Sequence, residues 1–272
     1  MSAFSRSFLY QPSDTGVATI TLNRPERLNA LNLEMRTHLA EAWTEFRRDD
    51  QLDVAIFTGA GRAFCAGEDM KESLARGQPG GTRPEVEDPF MSGALEKPVI
   101  AAVNGYAMGG GFMLVERTDL RVAAKGAIFE VSEAKRWLLG GYNHGHIANL
   151  PYPIAMEMAL GFRFTAERFH DIGFINRLAE PDNLMGSAFA MAEHLLTLPP
   201  ASRVNTVHMM RQMRPAPAPE QERLAAALHE HGAKGDLIES RAAFAEKRAP
   251  NFKGWDKPED RYRLPTIESV KG

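Results

Sequence analysis

The stretch from Pro98 to Val115 constrains the fold more than any other part of the sequence, because it is apolar, uncharged and rich in glycine. It is nearly as long as a membrane span, but proline and asparagine interrupt it, as do four glycines: Gly105, Gly109, Gly110 and Gly111. Glycine and proline disfavour one uninterrupted apolar helix. The pattern therefore predicts a buried strand, a turn and the start of a helix.

Other short apolar runs predict that strands alternate with helices. Residues 17–22 alternate β-branched and small side chains, and residues 54–58 form an apolar run that ends at a glycine-rich turn. From Leu31 to Phe46 the apolar residues recur at helical spacing. Residues 120–123 and 127–131 are further strand candidates. This alternation predicts an α/β fold.

The pattern changes after about residue 185. Residues 185–198, 220–231 and 236–247 read as helices with no clear strand between them. We therefore expect an α/β core over residues 1–184 and a helical C-terminal region over residues 185–272. Residues 75–89 combine glycine, proline and charge without any period, which predicts a surface loop, either a lid or a solvated insertion.

Composition narrows the class of protein. The formal net charge of the 272 residues is −3, and no strongly basic patch is present, which disfavours a nucleic-acid partner. The single cysteine, Cys65, excludes an intrachain disulfide and suits a reducing compartment. The first ten residues lack the apolar core of a signal peptide. We expect a soluble cytoplasmic protein with no membrane partner.

Two glycine-rich segments after predicted strands are candidate sites. Residues 107–112 contain three consecutive glycines, and residues 64–72 contain an Ala-Gly pair before a predicted helix. Free backbone N–H groups at such strand-to-helix turns can bind an anion or an oxyanion. The alternatives are a tightly packed turn in the first case and, in the second, an ordinary helix capped by Asp69.

Glu133 is a candidate acid/base, because a carboxylate in an apolar site can move protons. The alternative is a surface ion pair among Glu130, Glu133, Lys135 and Arg136. The histidine pairs at positions 144 and 146 and at positions 229 and 231 lack further ligands at zinc spacing, so no metal site is predicted. Cys65 has no histidine nearby in sequence and is expected to be packed.

Together these segments resemble the enoyl-CoA hydratase/isomerase (crotonase) superfamily, over residues 9–254. The matching segments are residues 20–25, 29–31, 63–72, 97–111 and 173–177, of which 97–111 is the most specific. Residues 244–254 are similar to the branch that contains crotonobetainyl-CoA (carnitinyl-CoA) hydratases.

The resemblance implies a spiral of ββα units with a C-terminal helical trimerisation region, assembled as a homotrimer or a dimer of trimers. It implies an acyl-CoA thioester substrate and no metal or redox cofactor, with coenzyme A entering as part of the substrate. The family holds the thioester oxygen with two backbone N–H groups, which map here to Glu68 and Gly110.

The sequence departs from the family pattern at one of two catalytic glutamates. The first maps to Met113, whereas the second is present as Glu133. A single carboxylate can take the α-proton and return it at the γ-carbon, so Glu133 alone favours isomerisation of a 3-enoyl-CoA to a 2-enoyl-CoA. Glu116, one helical turn after Met113, and His144, in a segment that replaces a glycine-rich family motif, are auxiliary candidates.

Two sets of residues are expected to contact the substrate. The acyl pocket is predicted to include Ala66, Gly67, Met70, Met108, Phe112, Met113 and Trp137. Family position suggests CoA contacts from Arg24, Arg27, Phe244 and Lys247. Three alternatives remain open: a hydratase that works despite Met113, a thioester or carbon–carbon hydrolase or decarboxylase on the same scaffold, and a CoA-thioester binding protein.

Overall fold

A computed structural model describes residues 7–76, 85–136 and 138–270. The chain forms two compact units. The first comprises residues up to 130 together with residues 163–214, and the second comprises residues 131–162 and those from 215 onward. Residues 185–214, which the sequence-based division assigns to the C-terminal region, thus belong to the first unit.

The described residues form ten strands and eleven α-helices. The strands are β1 (Phe8–Pro12), β2 (Val17–Leu22), β3 (Val54–Gly59), β4 (Ala63–Cys65), β5 (Val99–Val103), β6 (Tyr106–Met108), β7 (Leu120–Ala124), β8 (Ile128–Glu130), β9 (Phe164–Thr165) and β10 (Arg177–Ala179). The helices are α1 (Leu33–Arg48), α2 (Met70–Arg76), α3 (Pro89–Ser92), α4 (Gly110–Arg117), α5 (His146–Asn149), α6 (Tyr152–Ala159), α7 (Ala166–Asp171), α8 (Leu184–Leu196), α9 (Pro200–Gln212), α10 (Pro219–His229) and α11 (Gly235–Ala245).

The first unit contains a six-stranded sheet in the order β1-β2-β3-β5-β7-β10. Strand β1 is antiparallel to β2, and the other neighbours are parallel. Every position of β3 and β5 is buried, as expected for parallel strands covered on both faces. Helix α8 packs Ala188, Met191 and Ala192 against Ile56 and Ile100.

A smaller sheet of the same unit, in the order β4-β6-β8-β9, positions the candidate site. Strands β4 and β6 are parallel, with Cys65 opposite Ala107. Their carboxyl ends therefore lie side by side. Each strand leads through a glycine turn into a helix, α2 after β4 and α4 after β6. The two glycine-rich segments predicted from the sequence are thus neighbours at one sheet edge.

The second unit is helical in its regular parts and holds α5, α6, α10 and α11. Asp236 in α11 accepts hydrogen bonds from the backbone N–H groups of Lys253 and Gly254 at 2.8 and 2.6 Å. The Arg136 guanidinium lies 4.3 Å from the centre of the Phe244 ring. The Asp236 contacts tie the segment after α11 back to that helix, and the Arg136 contact ties α11 to the short 3-10 helix Ala134–Arg136.

The structure confirms the α/β class and several of the predicted elements. Strand β2 has the predicted bounds, and residues 98–115 contain the predicted strand and helix start, with the short strand β6 between them. The predicted loop at residues 75–89 begins inside α2 and reaches the first residue of α3, and its positions 77–84 lie outside the described residues. Within the described chain, no helix is both long and apolar enough to span a bilayer.

Candidate functional site

The turn after β4 presents the backbone N–H of Glu68. Leu31 forms a parallel bridge with Glu68 in which its N–H donates to the Gly67 carbonyl at 2.7 Å. The Leu31 carbonyl accepts from the Asp69 N–H at 3.1 Å. A bridge of this kind uses the peptide groups on either side of Glu68, so the N–H of Glu68 itself points away from Leu31.

The turn after β6 presents the backbone N–H of Gly110. Gly109, with φ of 51° and ψ of −120°, donates its N–H to the Glu130 carbonyl at 2.8 Å and accepts from the Met113 N–H at 3.0 Å. Gly110 is the first residue of α4. The first N–H groups of an α-helix have no acceptor within the helix, and they lie at the positive end of its dipole.

The turns that carry the two N–H groups approach closely because Gly67 has no side chain. A Cβ placed on Gly67 would lie 2.7 Å from the Met108 carbonyl oxygen and 3.2 Å from the Gly110 nitrogen. Gly67 also has φ of +86°, a conformation that favours glycine. Among the hydrogen bonds of the described residues, none uses the N–H of Glu68 or Gly110. Two backbone donors on neighbouring turns are what the predicted oxyanion site requires.

Side chains hold the Glu68 turn in place. The Arg76 guanidinium lies 3.4 Å from the Glu68 carboxylate, and the Glu72 carboxylate accepts from the Leu33 N–H at 3.1 and 3.2 Å. Burial lowers the pKa of Arg36, and the nearby carboxylates of Glu68 and Glu72 oppose that shift. The sequence analysis missed Arg36 and Arg76, because neither belongs to a recognisable spacing and both act by tertiary contact.

Asp69 combines capping with an ion pair. Its carboxylate accepts from the Lys71 N–H at 3.2 Å, as a residue at the start of a helix does. Its other oxygen lies 3.1 Å from the Arg24 guanidinium, which also donates to the Ala30 carbonyl at 2.7 Å. Arg24, a predicted CoA contact, is therefore engaged in fixing this turn.

The predicted pocket residues of the first unit divide into two groups. Ala66, Met70, Met108 and Met113 are half-buried and lie on or beside the two turns. Phe112 instead is fully buried, and its ring packs against three others of the core: Phe129, Phe169 and Phe174. Trp137 lies outside the described residues.

Two further candidate groups of the first unit are buried side chains. The Glu116 side chain is buried on α4, one turn beyond Met113. The Cys65 thiol is also buried and donates to the Asn29 carbonyl, with a sulfur-to-oxygen distance of 3.1 Å. Burial raises the pKa of this thiol to about 12, so Cys65 remains protonated and packed, as the sequence indicated.

In the second unit, Glu133 and His144 lie close together. The Glu133 carboxylate is 3.7 Å from Nε2 of His144, and their side chains are only 19% and 11% exposed. Both belong to the loop that follows β8, where Arg136 and Leu138 donate their N–H groups to the Glu133 carbonyl, each at 2.9 Å. Lys135 is exposed. A histidine thus lies beside the Glu133 carboxylate.

The remaining predicted CoA contacts lie at the surface. Arg27 is exposed at the end of a short 3-10 turn, and Lys247 is exposed in a left-handed conformation with φ of 55°. Phe244 is 41% exposed beneath the Arg136 guanidinium. Their roles in binding remain predictions.

Comparison with known proteins shows which sequence family the chain matches. The sequence model described as enoyl-CoA hydratase/isomerase matches residues 13–256. The 1,2-epoxyphenylacetyl-CoA isomerase of Escherichia coli K12 is 32% identical over 271 residues, which cover 91% of this chain and 98% of the relative. The carnitinyl-CoA dehydratase of Salmonella typhi is 36% identical over 262 residues, with coverage of 88% and 95%.

A solved structure extends the comparison to the fold. The carnitinyl-CoA hydratase from Mycobacterium avium superposes with a TM-score of 0.79 at 32% identity, over 92% of this chain and 99% of that one. These matches confirm the resemblance drawn from the sequence, its crotonase-like α/β fold and its proximity to the carnitinyl-CoA hydratase branch.

Proposed function

The chain belongs to the enoyl-CoA hydratase/isomerase family, and we propose that it converts a 3-enoyl-CoA into a 2-enoyl-CoA with one carboxylate as proton carrier. The observation that carries the proposal is the pair of backbone N–H groups at Glu68 and Gly110, which no hydrogen bond among the described residues uses. A thioester oxygen held there gains negative charge as the α-proton leaves. Backbone donors aimed at such an oxygen contribute about 3 to 4 kcal/mol each to transition-state stabilisation.

The proton moves through Glu133 in two steps. First the C2–H bond breaks, the proton bonds to the Glu133 carboxylate, and the electron pair moves onto the thioester oxygen to form a dienolate. Then the thioester carbonyl re-forms, the double bond settles between C2 and C3, and Glu133 returns the proton to C4. Only a proton and electron pairs move, so these steps require no cofactor beyond the coenzyme A of the substrate.

The preference for isomerisation rests on Met113. A family hydratase has a carboxylate at this position, in the first turn of α4, to help hold and activate a water molecule. A thioether side chain cannot accept a proton from water at neutral pH, whereas a proton shuttle between two carbons needs only the second carboxylate.

Hydration is the second candidate, and the burial of Glu116 favours it. Glu116 lies one turn beyond Met113 on the same helix, and positions three residues apart share a helix face. A buried carboxylate there could activate water in place of the missing one. The carnitinyl-CoA relatives have names of this reaction type.

A mass-resolved assay with matched trans-2-enoyl-CoA and trans-3-enoyl-CoA substrates separates the candidates. Conversion of the 3-enoyl substrate at unchanged mass, without hydration of the 2-enoyl substrate, supports isomerisation. Gain of one water by the 2-enoyl substrate supports hydration. Release of free CoA with neither change supports the hydrolase alternative and overturns both.

The remaining contacts are proposed on the same basis. Half-buried Ala66, Met70, Met108 and Met113 line the acyl pocket, and surface residues Arg27 and Lys247 contact the CoA. We also propose a homotrimer or a dimer of trimers. Support comes from large apolar side chains exposed in the second unit, namely Ile238, Phe252, Trp255, Tyr262 and Leu264. Light scattering coupled to size exclusion measures the mass of the assembly.

A further inference from the structure

The loop from Glu133 to His144 is organised by its own backbone hydrogen bonds. After the Leu138 N–H donates to the Glu133 carbonyl, Gly140 donates to Leu138 at 2.9 Å. Tyr142 then donates to the Leu139 carbonyl at 2.9 Å, and His144 donates to the Gly141 carbonyl at 2.8 Å. This succession of tight turns returns the chain to Glu133, so the closeness of the two side chains is built locally.

Two glycines are required for this path. Gly140 has φ of +39°, and a Cβ there would lie 2.2 Å from the Ala159 carbonyl oxygen in α6. Gly141 has φ of +63°, and a Cβ there would lie 2.6 Å from Nδ1 of His144. The second contact is specific, because any side chain at position 141 would displace the imidazole. The loop is therefore shaped around the His144 ring.

Neighbouring groups fix the loop and the ring. The Tyr142 hydroxyl donates to the Glu222 carboxylate in α10 at 2.8 Å. The His144 ring meets the His146 ring edge to face, with centres 5.7 Å apart. Nε2 of His146 lies 3.2 Å from the Gly140 carbonyl oxygen. The ring that faces Glu133 is thus restrained by the loop, by α5 and, through Tyr142, by α10.

We infer that His144 is a positioning residue: its Nε2 holds Oε1 of Glu133, so that the other carboxylate oxygen, Oε2, carries the substrate proton. This inference rests on the proposed function, in which Glu133 is the proton carrier. The distance of 3.7 Å is longer than a hydrogen bond, and the hydrogen bonds of an active site commonly shorten only when substrate is bound.

The chemistry explains why a shuttle gains from such a partner. Glu133 must take a proton at C2 and deliver it at C4, so one oxygen has to serve two carbon atoms. A carboxylate that rotates freely would spend little time aimed at either atom, and a misplacement of about 1 Å can cost a hundredfold in rate. An imidazole beside Oε1 limits that rotation.

Replacement of His144 tests the inference by separating kcat from KM. We expect His144→Ala to lower kcat by about tenfold to a hundredfold while KM stays within about twofold, because ground-state binding of the CoA ester is untouched. His144→Gln should recover part of that loss, since the glutamine amide places an N–H near the position of Nε2. His170→Gln, at an exposed histidine of the first unit, is the matched control and should leave both constants unchanged.

Gly141→Ala provides a second variant that keeps the imidazole but displaces it. It should reproduce the kcat loss of His144→Ala, and circular dichroism establishes that both variants are folded. The positioning role is wrong if His144→Ala retains full kcat. It is also wrong if kcat and thermal stability fall while KM rises, and His144→Gln recovers none of these changes.

Glu133→Gln distinguishes failure of the inference from failure of the proposed function. If Glu133→Gln retains turnover, the proposed function fails and the inference fails with it. If Glu133→Gln abolishes turnover while His144→Ala is fully active, only the inference fails. If His144 acts through Glu133, the double variant that carries both Glu133→Gln and His144→Ala is no slower than Glu133→Gln alone.

Discussion

In the proposed mechanism the first unit contributes backbone groups, whereas the second contributes side chains. At Glu68 and Gly110 the functional groups are N–H donors, fixed by strand pairing and by glycines that allow two turns to touch. At Glu133 and His144 the functional groups are a carboxylate and an imidazole held by a loop. A backbone donor survives substitution of its side chain, but a carboxylate does not, so the two regions should respond to mutation in opposite ways.

The largest expected difference is between Glu133→Gln and Glu68→Gln. Loss of a general acid/base costs about a hundredfold to ten-thousandfold in rate, so Glu133→Gln should lower kcat by about a thousandfold. Glu68→Gln keeps the backbone N–H and changes only a side chain that faces Arg76, so kcat should fall by less than about tenfold.

Steady-state kinetics of both variants with the preferred enoyl-CoA measure this difference. The control is the affinity for a non-reactive CoA thioester, measured by calorimetry. Both variants should bind it with nearly the affinity of the native enzyme. Equal losses of kcat in the two variants would contradict the division between backbone and side-chain chemistry.

The same division explains what the sequence could predict. Strands β2 and β5 carry their pattern in five or six consecutive residues, and the glycine triplet follows β5 within a few positions. These signals are local, and they locate the Glu68 and Gly110 turns correctly at strand ends. The family resemblance added the pairing of the two turns, which local pattern alone leaves open.

The rest depends on contacts distant in sequence. Strands β6, β8 and β9 have only two or three residues each, and each is stabilised by pairing with a neighbouring strand. The place of Phe112 directly after the glycines predicts a pocket residue. In the structure its ring packs in an aromatic core whose other rings come from β8, from α7 and from the segment that follows α7. The approach of His144 to Glu133 depends on two left-handed glycines that carry no periodic signal.

Gly111→Ala tests whether the first unit depends on backbone contact. A Cβ at position 111 would lie 2.2 Å from the Cys65 carbonyl oxygen, so the β4 and α4 backbones would have to separate. We expect the free energy of unfolding to fall by about 2 to 3 kcal/mol. Gly110→Ala is the matched control, since its Cβ would come no closer than 3.8 Å to the Gly67 Cα and the Leu31 side chain.

Urea unfolding of the two glycine variants gives the comparison. Gly110→Ala should unfold at nearly the native urea concentration, because alanine fits there and retains the N–H. A similar loss of stability in both variants would mean that the close approach of the two turns is not the limiting contact.

Tyr142→Phe tests a side-chain contact in the second unit. Removal of the hydroxyl deletes its hydrogen bond to Glu222 and should cost about 1 kcal/mol. Burial and then this hydrogen bond raise the pKa of Tyr142 to about 12. A tyrosine pKa raised in the folded state means that the contribution is fully present below the unfolded value of about 10 and is lost as the pH rises towards 12.

The difference in unfolding free energy between native and Tyr142→Phe protein measures that contribution. It should be constant near neutral pH and shrink above about pH 10. Tyr262→Phe, at a tyrosine that is 78% exposed, serves as the control and should change stability little. A difference that grows with rising pH would show that the hydroxyl is not the stabilising donor.

The smallest expected effect concerns Glu239, whose carboxylate pairs with Arg248 at 2.5 and 2.9 Å and accepts from the Asn251 N–H at 2.7 Å. The Arg248 hydrogen bonds, followed by that of Asn251, lower the pKa of Glu239 to about 2. For a lowered carboxyl pKa, the stabilisation is present above the unfolded value of about 4.3 and disappears as the pH falls towards 2.

Glu239→Gln should therefore lower Tm slightly near neutral pH and leave it nearly unchanged near pH 2, if both proteins remain folded there. Since the Arg248 side chain is exposed and Glu239 is only half-buried, added salt should reduce the difference at neutral pH. Glu230→Gln is the matched control, because Glu230 lies 3.9 Å from Lys234 and both side chains are more than 70% exposed. A Tm difference for Glu239→Gln that persists unchanged into acid would assign its effect to packing and not to the ion pair.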